Sequence, residues 1–283
     1  MSTVDGLVLT LLYVPADRPD RVAKALASEA DVVIVDLEDA VAPHGKGQAR
    51  GGLPELLAAC ERPVQVRVNG TDTPWGRDDL ATVARLPAPV AVRLPKVESA
   101  TTVEQAASRV GPGRSIHCLI ETALGVEQAF EIARCDAVAS IGLGEQDLKS
   151  ELGVTDDRVL QWPRGRIVNA AAAAGLSPPA QSVFPRVRDL DGLRHWCRSN
   201  REQGFLGGAA IHPGQIAVIR ESYRPSAGEV GRARAVIAAL DEAAGEDSGV
   251  ALLDDGSFVD AAMAGAARRV LAVAALAEAT RSP

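Results

Sequence analysis

Carboxylates recur in this sequence where an apolar, β-branched run gives way to a loop. Asp36-Leu37-Glu38-Asp39 places three acids in four residues directly after Val32-Val33-Ile34-Val35. Glu121 closes the run 115–121, and Glu145 and Asp147 follow the run 137–143. Other runs end in basic or polar groups: Arg67 and Asn69, Pro95-Lys96, and His212-Pro213. Carboxylates that converge on one site repel one another unless a cation or a proton bridges them. Hard oxygen donors with no cysteine and at most one histidine favour Mg²⁺ over Zn²⁺. Mg²⁺ needs only one or two protein carboxylates, leaving its other positions to water and substrate. Glu121 and Asp147 make the best pair for it, because they end neighbouring runs. A lone strand-end acid is more often a loop cap or a surface ion pair, so the convergence carries this reading.

Arg67 alternates with Val66 and Val68 inside Val64-Gln65-Val66-Arg67-Val68. An arginine there points inward and is costly unless paired. Two readings stand: a structural ion pair with Asp36 or Glu38, or a clamp on a substrate carboxylate. His212, followed by Pro213-Gly214, reads better as a helix-start residue bonded to backbone than as a base.

The elements that must position these groups are strands at 7–14, 31–36, 63–68, 90–94, 115–121, 137–143, 179–184 and 208–211. Helical patterns lie between them at 18–29, 46–60, 75–85, 99–109, 123–133, 157–174 and 189–203. Asp17, Ser99 and Gly175 supply start and stop signals. Several strands are apolar on both faces, as in a covered parallel sheet. Eight alternations predict an α/β fold, a (β/α)8 TIM barrel, whose reacting residues project from the C-terminal strand ends. An open dinucleotide-binding sheet would need G-x-G-x-x-G at its first turn, where this chain has Pro15-Ala16-Asp17-Arg18-Pro19. The barrel is predicted over 1–222. A C-terminal helical arm or lid follows at 223–283, with a helix at 226–245, a Gly/Asp-rich break and an Ala-rich helix at 259–279. Its apolar faces are read as packing on a neighbouring subunit; a cap on the barrel bottom fits the pattern equally well.

The chain has 283 residues, 30 Lys+Arg against 37 Asp+Glu and a net charge of −7, and no run of like charges reaches five. That excludes nucleic acid as a leading partner and any polybasic membrane patch. The longest apolar stretches, such as 270–277, fall far short of the roughly 20 residues that span a bilayer. Ser2, Thr3 and Asp5 precede the first apolar run with no basic segment, so no leader is expected. The four cysteines, Cys60, Cys118, Cys135 and Cys197, show no C-x-x-C spacing and read as reduced core residues. A cytoplasmic location follows as the expectation.

Six motifs taken together resemble the citrate lyase β-subunit-like branch of the HpcH/HpaI aldolase superfamily. They are Leu12-Tyr13-Val14-Pro15-Ala16-Asp17-Arg18-Pro19, Val35-Asp36-Leu37-Glu38-Asp39-Ala40-Val41, Leu94-Pro95-Lys96-Val97-Glu98, Ile120-Glu121-Thr122-Ala123-Leu124-Gly125, Ile211-His212-Pro213-Gly214-Gln215-Ile216 and Asp255-Gly256-Ser257-Phe258-Val259-Asp260. The resemblance runs nearly the whole chain in order. It implies a Mg²⁺-dependent barrel, trimeric or hexameric, acting on thioesters of CoA or acyl carrier protein with a keto acid or aldehyde as the second fragment. It places Glu121 and Asp147 as metal ligands, Arg67 on the keto-acid carboxylate, and Glu38 and Asp39 near the metal's water shell. It makes Asp260 an arm acid presented to a neighbour's site, and gives Pro95, Lys96 and Gly144 to substrate binding. Arg18 or Arg21 would replace an arginine that many relatives carry where this chain has Leu9-Thr10. Where many members read Gly-Ala-Glu-Asp-Leu, this chain reads Gly144-Glu145-Gln146-Asp147-Leu148, and the residue after Asp260 is Ala261 in place of a frequent proline.

The leading expectation is a stand-alone Mg²⁺-dependent lyase or synthase for β-hydroxyacyl-CoA of malyl or citramalyl type, a homotrimer or homohexamer. A malyl-CoA-type thioesterase, a β subunit working on acyl-carrier-protein thioesters inside a citrate lyase complex, and a non-catalytic keto-acid-binding barrel are the alternatives.

Overall fold

The computed structural model describes residues 7–245 and 248–279. The opening residues Ser2, Thr3 and Asp5, and Glu246 and Asp247 in the Gly/Asp-rich break, lie outside that range. Two compact units emerge. One spans Val8–Ser222; the other is built from Tyr223 onward together with Leu7.

The first unit winds strand and helix alternately: β1 (Thr10–Pro15), α1 (Pro19–Leu26), β2 (Val32–Asp36), α2 (Lys46–Leu57), β3 (Val64–Arg67), α3 (Gly76–Val83), β4 (Val90–Leu94), α4 (Ala100–Val110) and β5 (Ile116–Ile120). The predicted helix 123–133 divides into α5 (Ala123–Glu127) and α6 (Ala129–Ala133), because Gln128 leaves helical dihedrals (φ −87°, ψ 3°). Next come β6 (Val138–Leu143), α7 (Glu145–Leu152), α8 (Gln161–Ala173), α9 (Leu190–Glu202), β7 (Gly208–Ala210) and α10 (Ile216–Tyr223). All seven strands pair in parallel, in the order β6-β5-β4-β3-β2-β1-β7. Both faces are covered, which is why Val32, Val33, Ile34 and Val35 are all buried in succession.

The predicted strand at 179–184 does not join the ladder as a strand. It touches β7 through one bridge, Gln181 to Gly208, with Gln181 N–H donating to Gly207 O (3.0 Å) and Ala209 N–H to Gln181 O (3.1 Å). Pro178 before it, Pro179 at its start and Pro185 after it remove donors that a longer ladder needs. The helix at α1 also starts differently: its N-cap is Arg18, with no side-chain cap, in place of Asp17. Ser99 caps α4 by accepting Thr102 N–H (3.2 Å), and Gly175 takes φ +71° after α8.

The second unit holds α11 (Ala227–Gly245), a hairpin of β8 (Val250–Leu252) and β9 (Phe258–Asp260), and α12 (Ala261–Ala279). Val259 on β9 is fully buried with Ala233, Val236 and Ala267, so the hairpin nucleates a small core against the two helices. β8 falls in the predicted Gly/Asp-rich break, whereas β9 takes Val259 and Asp260 from the start of the predicted helix 259–279. Among the described residues no helix is long and apolar enough to cross a membrane. All four cysteines are free; Cys118 and Cys197 are buried, Cys60 and Cys135 half-buried.

Candidate active site

The C-terminal ends of the strands of the first unit surround one cavity of about 440 Å³. Tyr13 from β1, Arg67 from β3, Arg93 from β4 and Glu121 after β5 line it, with Gly144 and Asp147 after β6. A sheet whose strands all face one hollow is curled, and parallel pairing puts every C-terminal end at the same rim.

On one side sits an ion cluster. Asp36 is the last residue of β2 and lies in register with Arg67 on β3. Its Oδ1 accepts Arg67 Nε–H (2.8 Å) and Glu38 N–H (2.8 Å), and its Oδ2 accepts Arg67 Nη2–H (2.6 Å). Arg67 Nη1 reaches Glu38 Oε2 (2.8 Å) and Asp39 Oδ2 (3.2 Å), and the guanidinium stacks over the Tyr13 ring at 5.1 Å. Burial works to lower the Arg67 pKa, but the hydrogen bond and charge of Asp36 raise it on balance. Lys46 Nζ, buried, donates to Leu37 O (2.8 Å) and Glu38 O (2.6 Å), which fixes the loop carrying the acids. The ion-pair reading of Arg67 thus holds in full, with the guanidinium also facing the cavity.

Lys96 links this cluster to the next. Its Nζ donates to Glu38 Oε1 (2.6 Å) and lies 3.9 Å from Asp147 Oδ1. Its N–H donates to Glu121 Oε1 (2.8 Å). Lys96 is the one non-glycine residue of the described chain at positive φ (49°), a strained conformation that its two hydrogen bonds hold in place. Burial lowers the Lys96 pKa, while the hydrogen bond to Glu38 and the charges of Glu38, Glu121 and Asp39 raise it on balance. Burial pushes Glu38 up, against the opposing pull of Arg67 and Lys96. Glu121 is 2% exposed, and burial, with Glu38 and Asp147 nearby, pushes its pKa up to about 7.

Gly144 makes this placement possible. A Cβ at that position would sit 2.5 Å from Glu121 Cβ and would also meet Glu121 Oε2. Asp147 stands on the first turn of α7, half-exposed. Among the described residues no three carboxylate, His or Cys side chains come together to cage a metal. A cation at Glu121 and Asp147 would therefore keep most of its coordination for water and substrate. That is the habit of Mg²⁺, and an acid-rich, oxygen-only donor set suits it.

The remaining expected residues fall as follows. Pro95 follows β4 and precedes Lys96, and Gly144 lines the cavity. Arg18 pairs with Asp20 at 3.6 Å, and Arg21 lines the cavity. His212 caps a short helical turn, its Nδ1 accepting Gly214 N–H (3.0 Å). Asp260 belongs to the second unit, where its Oδ1 accepts Ala262 N–H (3.0 Å) at the start of α12. Glu145, the acid that precedes Gln146, is taken up by Arg164: two hydrogen bonds of 2.9 and 2.7 Å join them, and Arg164 stacks on Trp196 at 4.6 Å. Both partners are buried.

The profile of the HpcH/HpaI aldolase/citrate lyase family matches residues 9–213. The chain belongs to that family. A (3S)-malyl-CoA thioesterase of Cereibacter sphaeroides is 39% identical over 271 residues, 94% of each chain. An L-malyl-CoA/beta-methylmalyl-CoA lyase of the same species is 32% identical, covering 89% of each. Among solved structures, CitE of Mycobacterium tuberculosis in complex with magnesium, acetoacetate and coenzyme A superposes with a TM-score of 0.80 at 35% identity, covering 95% of this chain and 99% of that one.

Within this HpcH/HpaI chain, sequence reasoning missed two features of the site. The first is α7 itself, which carries Asp147. Its signals were present: Glu145 and Asp147 in the first turn, Lys149 in the last, and Gly153 as a left-handed cap at φ 65°. The second is Arg93. It occupies in Val90-Ala91-Val92-Arg93 the inward place that Arg67 holds in Val64-Gln65-Val66-Arg67, and the two are register partners.

Proposed function

We propose that this protein is a Mg²⁺-dependent enzyme that breaks or forms the C–C bond of a β-hydroxyacyl-CoA thioester of malyl or citramalyl type, releasing an acyl-CoA and a keto acid or glyoxylate. The observation that carries the reading is that Glu121 and Asp147 line one cavity and that a single lysine, Lys96, contacts both of them and Glu38. Glu121 and Asp147 would hold Mg²⁺, which supplies a Lewis acid and a template for the carboxylate and β-oxygen of the bound acid. Arg67 offsets negative charge on the keto-acid fragment from the rim. To Glu38, buried and raised in pKa, we assign the exchange of a proton with the β-hydroxyl or a water beside it. Lys96 and Arg67 hold its two oxygens in position. The enolate left on the thioester fragment needs a proton at carbon, and Asp260 is the acid we assign to that step from a neighbouring subunit.

The reading includes an eight-unit barrel in which 179–184 fills the place of a strand. It divides the chain into a catalytic domain at 1–222 and an arm at 223–283. The arm would pack on the next subunit of a homotrimer or homohexamer; the exposed Leu252 and Phe258 of its hairpin support this. Four free cysteines and a CoA substrate support a cytoplasmic location.

Thioester hydrolysis is the second reading, favoured by the relative named as a malyl-CoA thioesterase. One assay separates the two. The purified protein is given malyl-, citramalyl- and β-methylmalyl-CoA with Mg²⁺ or EDTA, and keto acid and free thiol are followed separately. Keto acid without free thiol, and only with Mg²⁺, is the expected outcome. Free thiol moves the function to hydrolysis, and silence across the panel overturns both.

A further inference from the structure

We propose that Arg93 is a second carboxylate-binding residue of this cavity, one that meets the substrate's acid group from the β4 wall. Three arginines line the hollow; Arg21 is exposed, and the other two, Arg67 and Arg93, differ in what they already hold. Arg67 is engaged by Asp36, Glu38 and Asp39. Arg93, 7% exposed, has no carboxylate within ion-pair distance among the described residues. Its Nε donates to the Tyr13 hydroxyl (2.9 Å), its Nη1 to Gln65 Oε1 (3.0 Å), and its plane stacks on Tyr13 at 5.7 Å. These neutral partners orient the fork without discharging it. His117, its register partner on β5, is occupied with Ser140 Oγ (2.8 Å).

A buried cation without a counter-ion costs several kcal/mol, and a well-packed apolar side chain of similar volume would remove that cost. A guanidinium retained in such a place, open to a cavity, is a binding group waiting for an anion. The opening is at Nη2, the nitrogen with no hydrogen-bond partner in the described protein. Gly142 faces it, and a Cβ there would stand 3.5 Å from Nη2, so the glycine keeps that approach clear. Pairing a small α-keto carboxylate with Arg93 would neutralise its guanidinium while Arg67 stays bonded to its acids.

The inference rests on the reading of this cavity as a keto-acid site, and pyruvate serves as the probe. Calorimetric titration of pyruvate in saturating Mg²⁺ is compared for the wild type, Arg93→Met, Arg93→Lys and Gly142→Ala. Arg93→Met is expected to weaken pyruvate roughly 10- to 100-fold, the worth of hydrogen bonds to a charged group. Arg93→Lys, which keeps the charge but loses the fork, should fall between. Gly142→Ala leaves Arg93 in place and in ordinary contact, so it tests the same approach where Arg93→Met fails to fold; it should also weaken pyruvate. Mg²⁺ affinity should be unchanged in all three. Pyruvate binding equal to wild type in Arg93→Met, or in Gly142→Ala, overturns the assignment alone. Parallel loss of Mg²⁺ and pyruvate also overturns it, marking Arg93 as part of the frame. Failure of the wild type to bind pyruvate overturns the keto-acid reading and this inference with it.

Discussion

Gly144→Ala isolates how closely the site depends on one contact. Gly144 has φ −92° and ψ 84°, a conformation any residue adopts, so the substitution introduces no backbone strain. The added methyl would lie 2.5 Å from Glu121 Cβ, about 0.9 Å short of the 3.4 Å at which ordinary contact begins. Both atoms are fixed to backbone, so no rotamer change relieves the overlap, and either the end of β5 or the turn into α7 must move. These two segments carry Glu121 and Asp147. A displacement near 1 Å costs about 100-fold where geometry governs reaction, or roughly 2.7 kcal/mol in the barrier. Overpacking adds about 1–3 kcal/mol of lost stability. The assay is calorimetric Mg²⁺ titration together with turnover of the thioester the panel identifies. Gly51→Ala is the control, since a Cβ there meets nothing within 4 Å on helix α2 and should be neutral or slightly stabilising. Wild-type Mg²⁺ affinity and turnover in Gly144→Ala would refute the claim that Glu121 binds metal from the position its glycine neighbour sets.

Further tests address the other parts of the argument. Asp147→Asn should abolish Mg²⁺-dependent turnover while leaving thermal unfolding in EDTA unchanged or improved, because the carboxylates there repel one another; full activity would remove Asp147 from the metal site. Glu145→Leu should cost about 3–5 kcal/mol in urea unfolding by stranding buried Arg164, and Glu145→Leu with Arg164→Met should recover most of it; an additive double variant would deny the pair its structural role. Burial, aided by the Arg93 charge, drives His117 down to about 3 from 6.5, so between those values the unfolded chain binds a proton the folded chain refuses. Stability should therefore be complete above pH 6.5 and fall as the pH drops toward 3, by on the order of 5 kcal/mol, and His117→Gln should flatten that limb of the urea-stability profile against pH. Asp260→Asn should slow turnover far more than it weakens Mg²⁺, and equal losses would displace the arm acid from the role assigned to it.

The strands of the first unit were legible because a run apolar on both faces has few alternatives to a covered parallel strand. Residues 32–36 and 90–94 differ from their predicted bounds by no more than one residue. The segment 179–184 is less apolar, with Gln181 and Ser182 at its centre, and its prolines decide against pairing, a backbone property that hydrophobic pattern does not register. Helix α7 escaped because eight residues with only Leu148 and Leu152 apolar carry no period; its terminal charges and Gly153 were the usable signal. The strand-end acids were found by position alone. Their partners were not, because pairing is a three-dimensional fact. Nothing in Gly144-Glu145-Gln146-Asp147 announces that Glu145 is held by an arginine 19 residues on, which removes it from the cavity's free acids.

That sorting of partners gives the cavity its chemical character. Arg67 is matched to Asp36 and shared with Glu38 and Asp39, Glu145 is matched to Arg164, and Lys96 is bonded to Glu38. Among the described residues, Glu121 and Asp147 are left with no more than a share in Lys96, and Arg93 with no acid. The protein alone therefore leaves two acids short of positive charge and one buried guanidinium short of negative charge on the walls of one hollow. Neither deficit favours the fold, since like-charged acids and a solitary buried cation both raise its energy. Both are relieved at once by a divalent cation and a small carboxylate entering together. Each should then bind more tightly in the presence of the other, and by the same factor in either order of addition.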